Sequence, residues 1–251
     1  MPTGYPRSPK LQKGALIRLS EEFLGPIPNI IVFQYNPETL TRSLSPWRSR
    51  AQEGEGGEES ESGEANTAQP FDPGETFNLT LEFDAADALE VPENNPVEVI
   101  SGIADRIAAL EMLLYPSEEE MQAGLQESEE SSLGGGEEAS GGAETSSEPV
   151  PRPRVPVVLF VWGPGRIVPV RLTSFQVEEQ AYSPTLYPIR AEVTVGLRVL
   201  TEHSFRASNR EVSGAEELAI AAYKYTRGQK ETLARANIAN ITDSILGMLP
   251  F

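Results

Sequence analysis

The sequence predicts an α+β fold that is mainly β, with one flanking helix and a C-terminal helical extension. Apolar and polar residues alternate in several segments, most regularly from Ile189 to Val199, and this period of two is typical of half-buried strands. In one segment between the strands, and again near the C-terminus, apolar residues recur every three or four positions, as in a helix. The predicted order is several strands, one helix, several strands and two helices.

The first strands are predicted on both sides of a glutamate-rich tract. Lys13 to Leu19 has the composition of a strand, and Ile30 to Tyr35 is a stronger candidate that follows turn-forming residues at Gly25 to Asn29. Phe77 to Phe83 alternates apolar with polar residues, which predicts a strand with one buried face.

The helix that follows has a predicted start, an apolar stripe and a predicted end. Asn95 is a candidate N-cap, Pro96 fits the first helical position, and Glu98 stands where a capping box requires an acid. Pro116 ends the helix. The apolar stripe must lie on a sheet or on another subunit, and it consists of Ile100, Ile103, Ile107, Leu110 and Leu114.

A second group of strands forms a long predicted hairpin. Val157 to Trp162 is short and apolar enough to be a buried strand. Ile167 to Tyr182 reads as a long strand, in which Pro169 predicts an edge position or a bulge near the start. Ser183 to Pro188 forms the turn, and Ile189 to Val199 is the returning strand.

Two helices are predicted after the hairpin. Ser213 and Glu216 form a candidate capping box for the first helix, which ends at Gly228 as its C-cap. Its apolar face consists of Leu218, Ala222 and Tyr225. The second helix spans about Glu231 to Leu249, with Ile238, Ile241, Ile245 and Leu249 in line.

The net charge of −18 is concentrated in two tracts. Residues 51–69 contain six Glu and residues 116–149 contain ten, and neither tract has a basic residue. Because both are rich in Gly and Ser and poor in large apolar residues, we expect them to be disordered insertions. The predicted organisation is a single β domain made of residues 1–50, 70–115 and 150–205, the insertions 51–69 and 116–149, and the helical extension 206–251.

The composition argues against catalysis and metal binding. The chain has no Cys and a single His, His203, which excludes thiol chemistry and histidine metal clusters. The carboxylates from Asp84 to Glu93 lack the spacing of a calcium loop, and the basic residues are too scattered to predict nucleic-acid binding. We therefore expect no enzyme activity, no cofactor and no metal site.

The segment V-F-Q-Y-N-P-E-T-L, Val32 to Leu40, breaks an apolar strand abruptly. Pro37 keeps Asn36 out of helical geometry, and Asn favours a local side-chain turn. Leu40 is placed to return to the core. The break therefore predicts an architectural role for Asn36 and Pro37, without chemistry.

Three motifs resemble the tube-domain family of contractile injection systems, which are phage-tail-like machines. Phe33 to Leu40 resembles the signature F-x-x-N-P-x-x-L, Val157 to Gly163 resembles a strand ending in W-G, and Val170 to Val177 resembles a strand with L-T-S. With the hairpin, the likeness covers about Leu11 to Leu200 without the insertions. It implies a tail-tube-like split β-barrel or sandwich flanked by a helix.

Within that family the chain is most similar to the baseplate adaptor that joins the inner tube to the baseplate and spike, although no LysM-like module follows Leu200. The resemblance implies a ring, expected to be sixfold, whose partners are further copies, the inner tube protein, the spike and other baseplate subunits. An inner tube or tube-capping subunit is the alternative. Expected assembly residues are Asn36, Pro37, Leu40, Ile238, Ile241, Ile245 and Leu249.

The sequence shows no signal peptide and no apolar run of membrane-spanning length. We expect a cytoplasmic protein inside an assembled particle, with lysis as a possible route of release and no direct membrane insertion. Another class of protein stays open, namely a stand-alone β-sandwich that binds a ligand through Trp47 or Trp162. A hydrolase would have to rely on His203 without a recognisable motif.

Overall fold

The computed structural model describes residues 11–19, 30–46, 69–116, 155–206 and 212–239, with side chains up to residue 237. The predicted insertions fall outside these ranges except for Gln69 and Pro116. The described strands are β1 (Ala15–Leu19), β2 (Ile30–Val32), β3 (Leu40–Ser45), β4 (Gly74–Asp84), β5 (Val157–Val161), β6 (Ile167–Tyr182) and β7 (Pro188–Val199). The described helices are α1 (Ala86–Leu89), α2 (Pro96–Ser101), α3 (Ala104–Glu111), α4 (Glu202–Arg206) and α5 (Gly214–Ala239).

The seven strands form one sheet in the order β2-β1-β5-β6-β7-β4-β3, and every neighbouring pair is antiparallel. This confirms the prediction of an α+β fold that is mainly β. The hairpin of β6 and β7 matches its predicted bounds to within one residue. Strand β3 continues the chain after the Asn36-Pro37 break and pairs with β4.

The edge position predicted from Pro169 is wrong, because β6 lies between β5 and β7. The carbonyl of Pro169 accepts a hydrogen bond from the N–H of Leu200, just beyond the end of β7. The nitrogen of a strand residue faces the same neighbour as its carbonyl, so the missing donor falls where the β7 ladder has ended. A register shift follows between Leu172 and Ser174, so the bulge alternative is the correct one.

Alternation along the strands builds two apolar clusters on opposite faces of the sheet. The main core contains the inward side chains of β4, and all four predicted residues, Phe77, Leu79, Leu81 and Phe83, are buried. A second cluster covers the other face of β1 and β5, where Leu159 packs with Phe205 of α4 and with Ala219 and Ile220 of α5.

The single helix predicted from residue 96 to 115 is interrupted at Gly102. The φ of Gly102 is +59°, and a Cβ there would lie 2.0 Å from the carbonyl oxygen of Pro188. The N–H of Ile103 donates to that same oxygen at 2.9 Å. This contact turns the chain, so that Ile100 is 70% exposed while Ile103, Ile107 and Leu110 are buried. The predicted stripe is therefore correct only in α3.

The predicted capping box of α2 is wrong. Asn95 occupies the N-cap position, but its amide makes no capping bond and donates to the carbonyls of Ala88 and Val91, both at 3.1 Å. Glu98 forms an ion pair with Arg106. Asn95 thus holds the loop after α1 in place, a role that depends on contacts outside the helix.

A single helix, α5, replaces the two that were predicted. It continues through Gly228, where a Cβ would meet no atom within 4 Å, so Gly228 is not a C-cap. The capping box of Ser213 and Glu216 is confirmed by reciprocal hydrogen bonds of 3.0 and 3.4 Å. The helix buries Ala219, Ile220 and Thr226 and leaves Leu218 and Tyr225 exposed, so the predicted apolar face is also wrong.

Candidate assembly surfaces

The side chain of Asn36 binds backbone groups of the segment before β1. Its Oδ1 accepts a hydrogen bond from the N–H of Gly14, and its Nδ2 donates to the carbonyl of Gln12, both at 2.8 Å. Both partners are more than 20 residues earlier in the chain, so the predicted local turn is wrong. The amide acts in place of a strand neighbour, with one donor and one acceptor.

Gln34 makes an equivalent contact on the other side of the motif. Its Oε1 accepts from the N–H of Asp84 at 3.1 Å, and its Nε2 donates to the carbonyl of Asp84 at 2.6 Å. The guanidinium of Arg106 donates to the same Oε1. Since β2 is first and β4 is next to last in the sheet order, these bonds show that the sheet curls towards itself here.

The apolar part of the motif is anchored in the core. Phe33 is fully buried, and its ring centroid lies 6.5 Å from that of Phe160 and 6.4 Å from that of Trp162. Leu40 is half-buried and packs against the same cluster, as predicted. Trp162 is half-buried in this aromatic group and so is not a free stacking platform, and Trp47 lies outside the described residues.

Both outer strands of the sheet have a side without a strand partner among the described residues. On β2, Ile30 and Val32 expose their side chains, and on β3 Leu44 does the same. A groove of about 690 Å³ runs between β2 and α3, and its lining includes Ile30, Val32, Ala108, Ala109 and Met112. Unpaired edges with apolar side chains are typical sites of strand pairing between chains.

The tip of the β6–β7 hairpin exposes apolar side chains on a strained turn. The turn is closed by bonds from the N–H of Ser183 to the carbonyl of Tyr187 at 2.8 Å and from the N–H of Leu186 to the carbonyl of Ser183 at 2.9 Å. Leu186 has a φ of 65°, a conformation that is rare for a residue with a large side chain. It is 79% exposed, and Tyr182 and Tyr187 beside it are exposed too.

Helix α5 is fixed to the body by polar contacts in its middle. The hydroxyl of Thr226 donates to the carbonyl of Ile167 at 2.6 Å, and Lys230 forms an ion pair with the buried Glu75. The hydroxyl of Tyr223 donates to Asp72 at 3.0 Å. Burial, and then the hydrogen bond and the negative charge of Asp72, raise the pKa of Tyr223 to about 12.

Beyond these contacts the helix is exposed at every described position from Glu231 to Asn237, and Leu233 is 68% exposed. Of the predicted docking residues, Ile238 belongs to α5 by its backbone, although its side chain lies beyond the described ones. Ile241, Ile245 and Leu249 lie outside the described residues altogether.

The described carboxylates form ion pairs and caps and no metal site. No group of three or more His, Cys, Asp or Glu among the described residues could hold a metal ion. The N–H of Ala86 donates to Asp84 at 2.7 Å, and this bond, helped by Arg190, lowers the pKa of Asp84 despite partial burial. His203 stacks on Phe71, with ring centroids 4.3 Å apart.

No helix in the described part of the chain has both the length and the apolarity needed to cross a membrane. A scan against protein-family models gives no match to this chain, and a search of curated proteins gives none either. Inferences about its function therefore depend on the surfaces described above and on the motifs in the sequence.

Proposed function

We propose that this chain is a structural baseplate subunit of a contractile injection system, which links the inner tube to the baseplate and spike. Copies form a ring, sixfold as in the family that the motifs resemble, inside an assembled cytoplasmic particle. The protein makes and breaks no covalent bond. Its task is to hold a hollow tube in register and to join that tube to the contracting machine.

The hairpin tip is the observation that carries this proposal. A leucine at a positive φ costs the fold of order 1–3 kcal/mol, and Leu186 is also exposed to water. Gly or Asn would relieve the strain and the exposure together. A strained, exposed apolar residue at the end of a long hairpin is therefore best explained by a contact with another subunit.

The two sheet edges support the ring. Pairing of β3 in one copy with β2 in the next would satisfy the unpaired backbone groups of both strands. The groove between β2 and α3 leaves room for the side chains of an added strand. The exposed end of α5 would then dock on a neighbouring baseplate subunit, through Leu233 and the line of Ile238, Ile241, Ile245 and Leu249 that continues it.

The substitution Leu186→Asn separates folding from assembly. Asn tolerates a positive φ, so we expect the variant to unfold at the same temperature as the wild type or slightly higher. Co-expression with the neighbouring genes, followed by purification of particles, should recover much less of the variant than of the wild type. The matched control is Thr185→Asn, which changes the same turn and leaves the apolar side chain in place. Equal incorporation of Leu186→Asn and wild type would refute the proposed contact.

A further inference from the structure

The part of the outer sheet face that α4 and α5 leave uncovered carries two rows of like charge. On β7, Glu192 lies directly opposite Glu82 of β4 and Glu178 of β6, and these three side chains form the acidic row. Six residues further along β7, Arg198 lies opposite Arg171 of β6, and these two form the basic row. At about 3.4 Å per residue, the rows are about 20 Å apart along the strands.

The residues between the two rows are uncharged. The first intermediate row contains Thr80, Thr194 and Gln176, and the second contains Asn78, Gly196 and Ser174. The acidic row stands at the hairpin-tip end of the sheet and the basic row at the opposite end. The face is therefore polar from end to end, with opposite charges at its two ends.

Neither row is neutralised by the described part of the chain. None of the five side chains has an ion-pair partner there. Arg190, the closest cation along β7, is paired with Asp84, and Glu192 receives only a neutral hydrogen bond, from Gln180 at 2.9 Å. Like charges directly opposite each other destabilise a sheet, so both rows are unfavourable in an isolated chain.

We propose that a second copy of this chain docks head to tail, so that its basic row faces the acidic row of the first copy. This inference rests on the proposed function, since it assigns the contact between stacked rings. Contact between the ends relieves the repulsion within both rows. The two ends are different surfaces, so the contact repeats along one direction and gives a stack in place of a closed dimer. It also fixes the polarity of the stack, because two acidic ends repel each other.

The test uses sedimentation velocity of the full chain and of two charge-reversed variants. One variant combines Glu82→Arg, Glu178→Arg and Glu192→Arg, and the other combines Arg171→Glu and Arg198→Glu. The wild type should associate in 50 mM NaCl and dissociate in 1 M NaCl, where the Debye length falls to about 3 Å. Each variant alone should associate at least about tenfold more weakly than the wild type. An equimolar mixture of both should associate again, because each reversed end then meets its complement.

Two controls keep the result specific. Glu217→Arg changes an exposed charge at the start of α5, on neither row, and should associate as the wild type does. Circular dichroism should show unchanged folding in both reversed variants, since each row keeps like charges of the opposite sign. A mixture that associates no better than its components, or a wild type that does not associate in low salt, would overturn the inference. Incorporation into particles tests the proposed function separately and can succeed when stacking through these rows fails.

Discussion

Replacement of Asn36 by Ala tests the long-range contact of the N-P motif. The change removes one hydrogen bond to the half-buried N–H of Gly14 and one to the exposed carbonyl of Gln12. Water can replace the second bond but has poorer access to the first. At about 0.5–1.5 kcal/mol per net hydrogen bond, the loss should be about 2 kcal/mol. For a domain of this size that corresponds to a Tm about 4–8 °C lower.

Urea denaturation followed by circular dichroism measures this loss, and Asn36→Asp separates the two interpretations of the residue. Asp keeps the acceptor for Gly14 and loses the donor to Gln12, so we expect a loss of about 1 kcal/mol. If Asn36 formed only a local turn, Asp would serve equally well. Glu38→Ala, in the same loop, is the control and should stay within about 0.5 kcal/mol. The reasoning is refuted if Asn36→Ala is as stable as that control.

Three further predictions follow from other contacts. Gln34→Ala, which removes both bonds to β4, should lower the free energy of unfolding by about 2 kcal/mol in urea denaturation. Gly102→Ala should cost about 3 kcal/mol or more in the same assay, because its Cβ would overlap a backbone oxygen, whereas Gly228→Ala should stabilise the helix by about 1 kcal/mol; a loss at Gly228 would restore the C-cap interpretation. In a spectrophotometric titration, Tyr223→Phe should remove the phenol that ionises near pH 12. The wild type should lose stability as the pH rises from 10 to 12, because the folded state holds this phenol neutral, and a variant with an unchanged titration would contradict the assigned hydrogen bond.

The hairpin was predictable because its signal is local. Ile189 to Val199 alternates without interruption and turn residues precede it, so period and punctuation fixed both strands almost to the residue. The capping box of Ser213 and Glu216 is local as well, since both partners lie within one helical turn. Patterns with a range of a few residues can be read without knowledge of the fold.

The wrong predictions share a physical cause, which is that a distant contact decided the outcome. Gly102 interrupts a helix because the oxygen of Pro188 occupies the space of its Cβ, and Pro188 is 86 positions away in the sequence. Asn36 binds the chain before β1 for the same kind of reason. At Gly228 the helix continues although Gly disfavours it by about 1 kcal/mol, since ion pairs of Arg227 and Lys230 hold both sides of it to the body.

The candidate surfaces were predictable only in part. The hairpin was expected as a contact element, and its bounds are confirmed, but the positive φ of Leu186 is visible only in the structure. The acidic and basic rows depend on strand register, since their members come from three strands that are far apart in sequence. Strand order and register are set by the whole sheet, and so no local pattern could have placed these charges side by side.

Cryo-electron microscopy of particles made by co-expressing this chain with its neighbouring genes tests the central claim most directly. The account predicts a ring of this chain, sixfold, between the inner tube and the baseplate and spike, with β3 of each copy beside β2 of the next. A position along the tube or at its far end would instead identify a tube or tube-capping subunit. Particles without the chain, together with a purified chain that stays monomeric and binds none of its neighbours, would contradict the account.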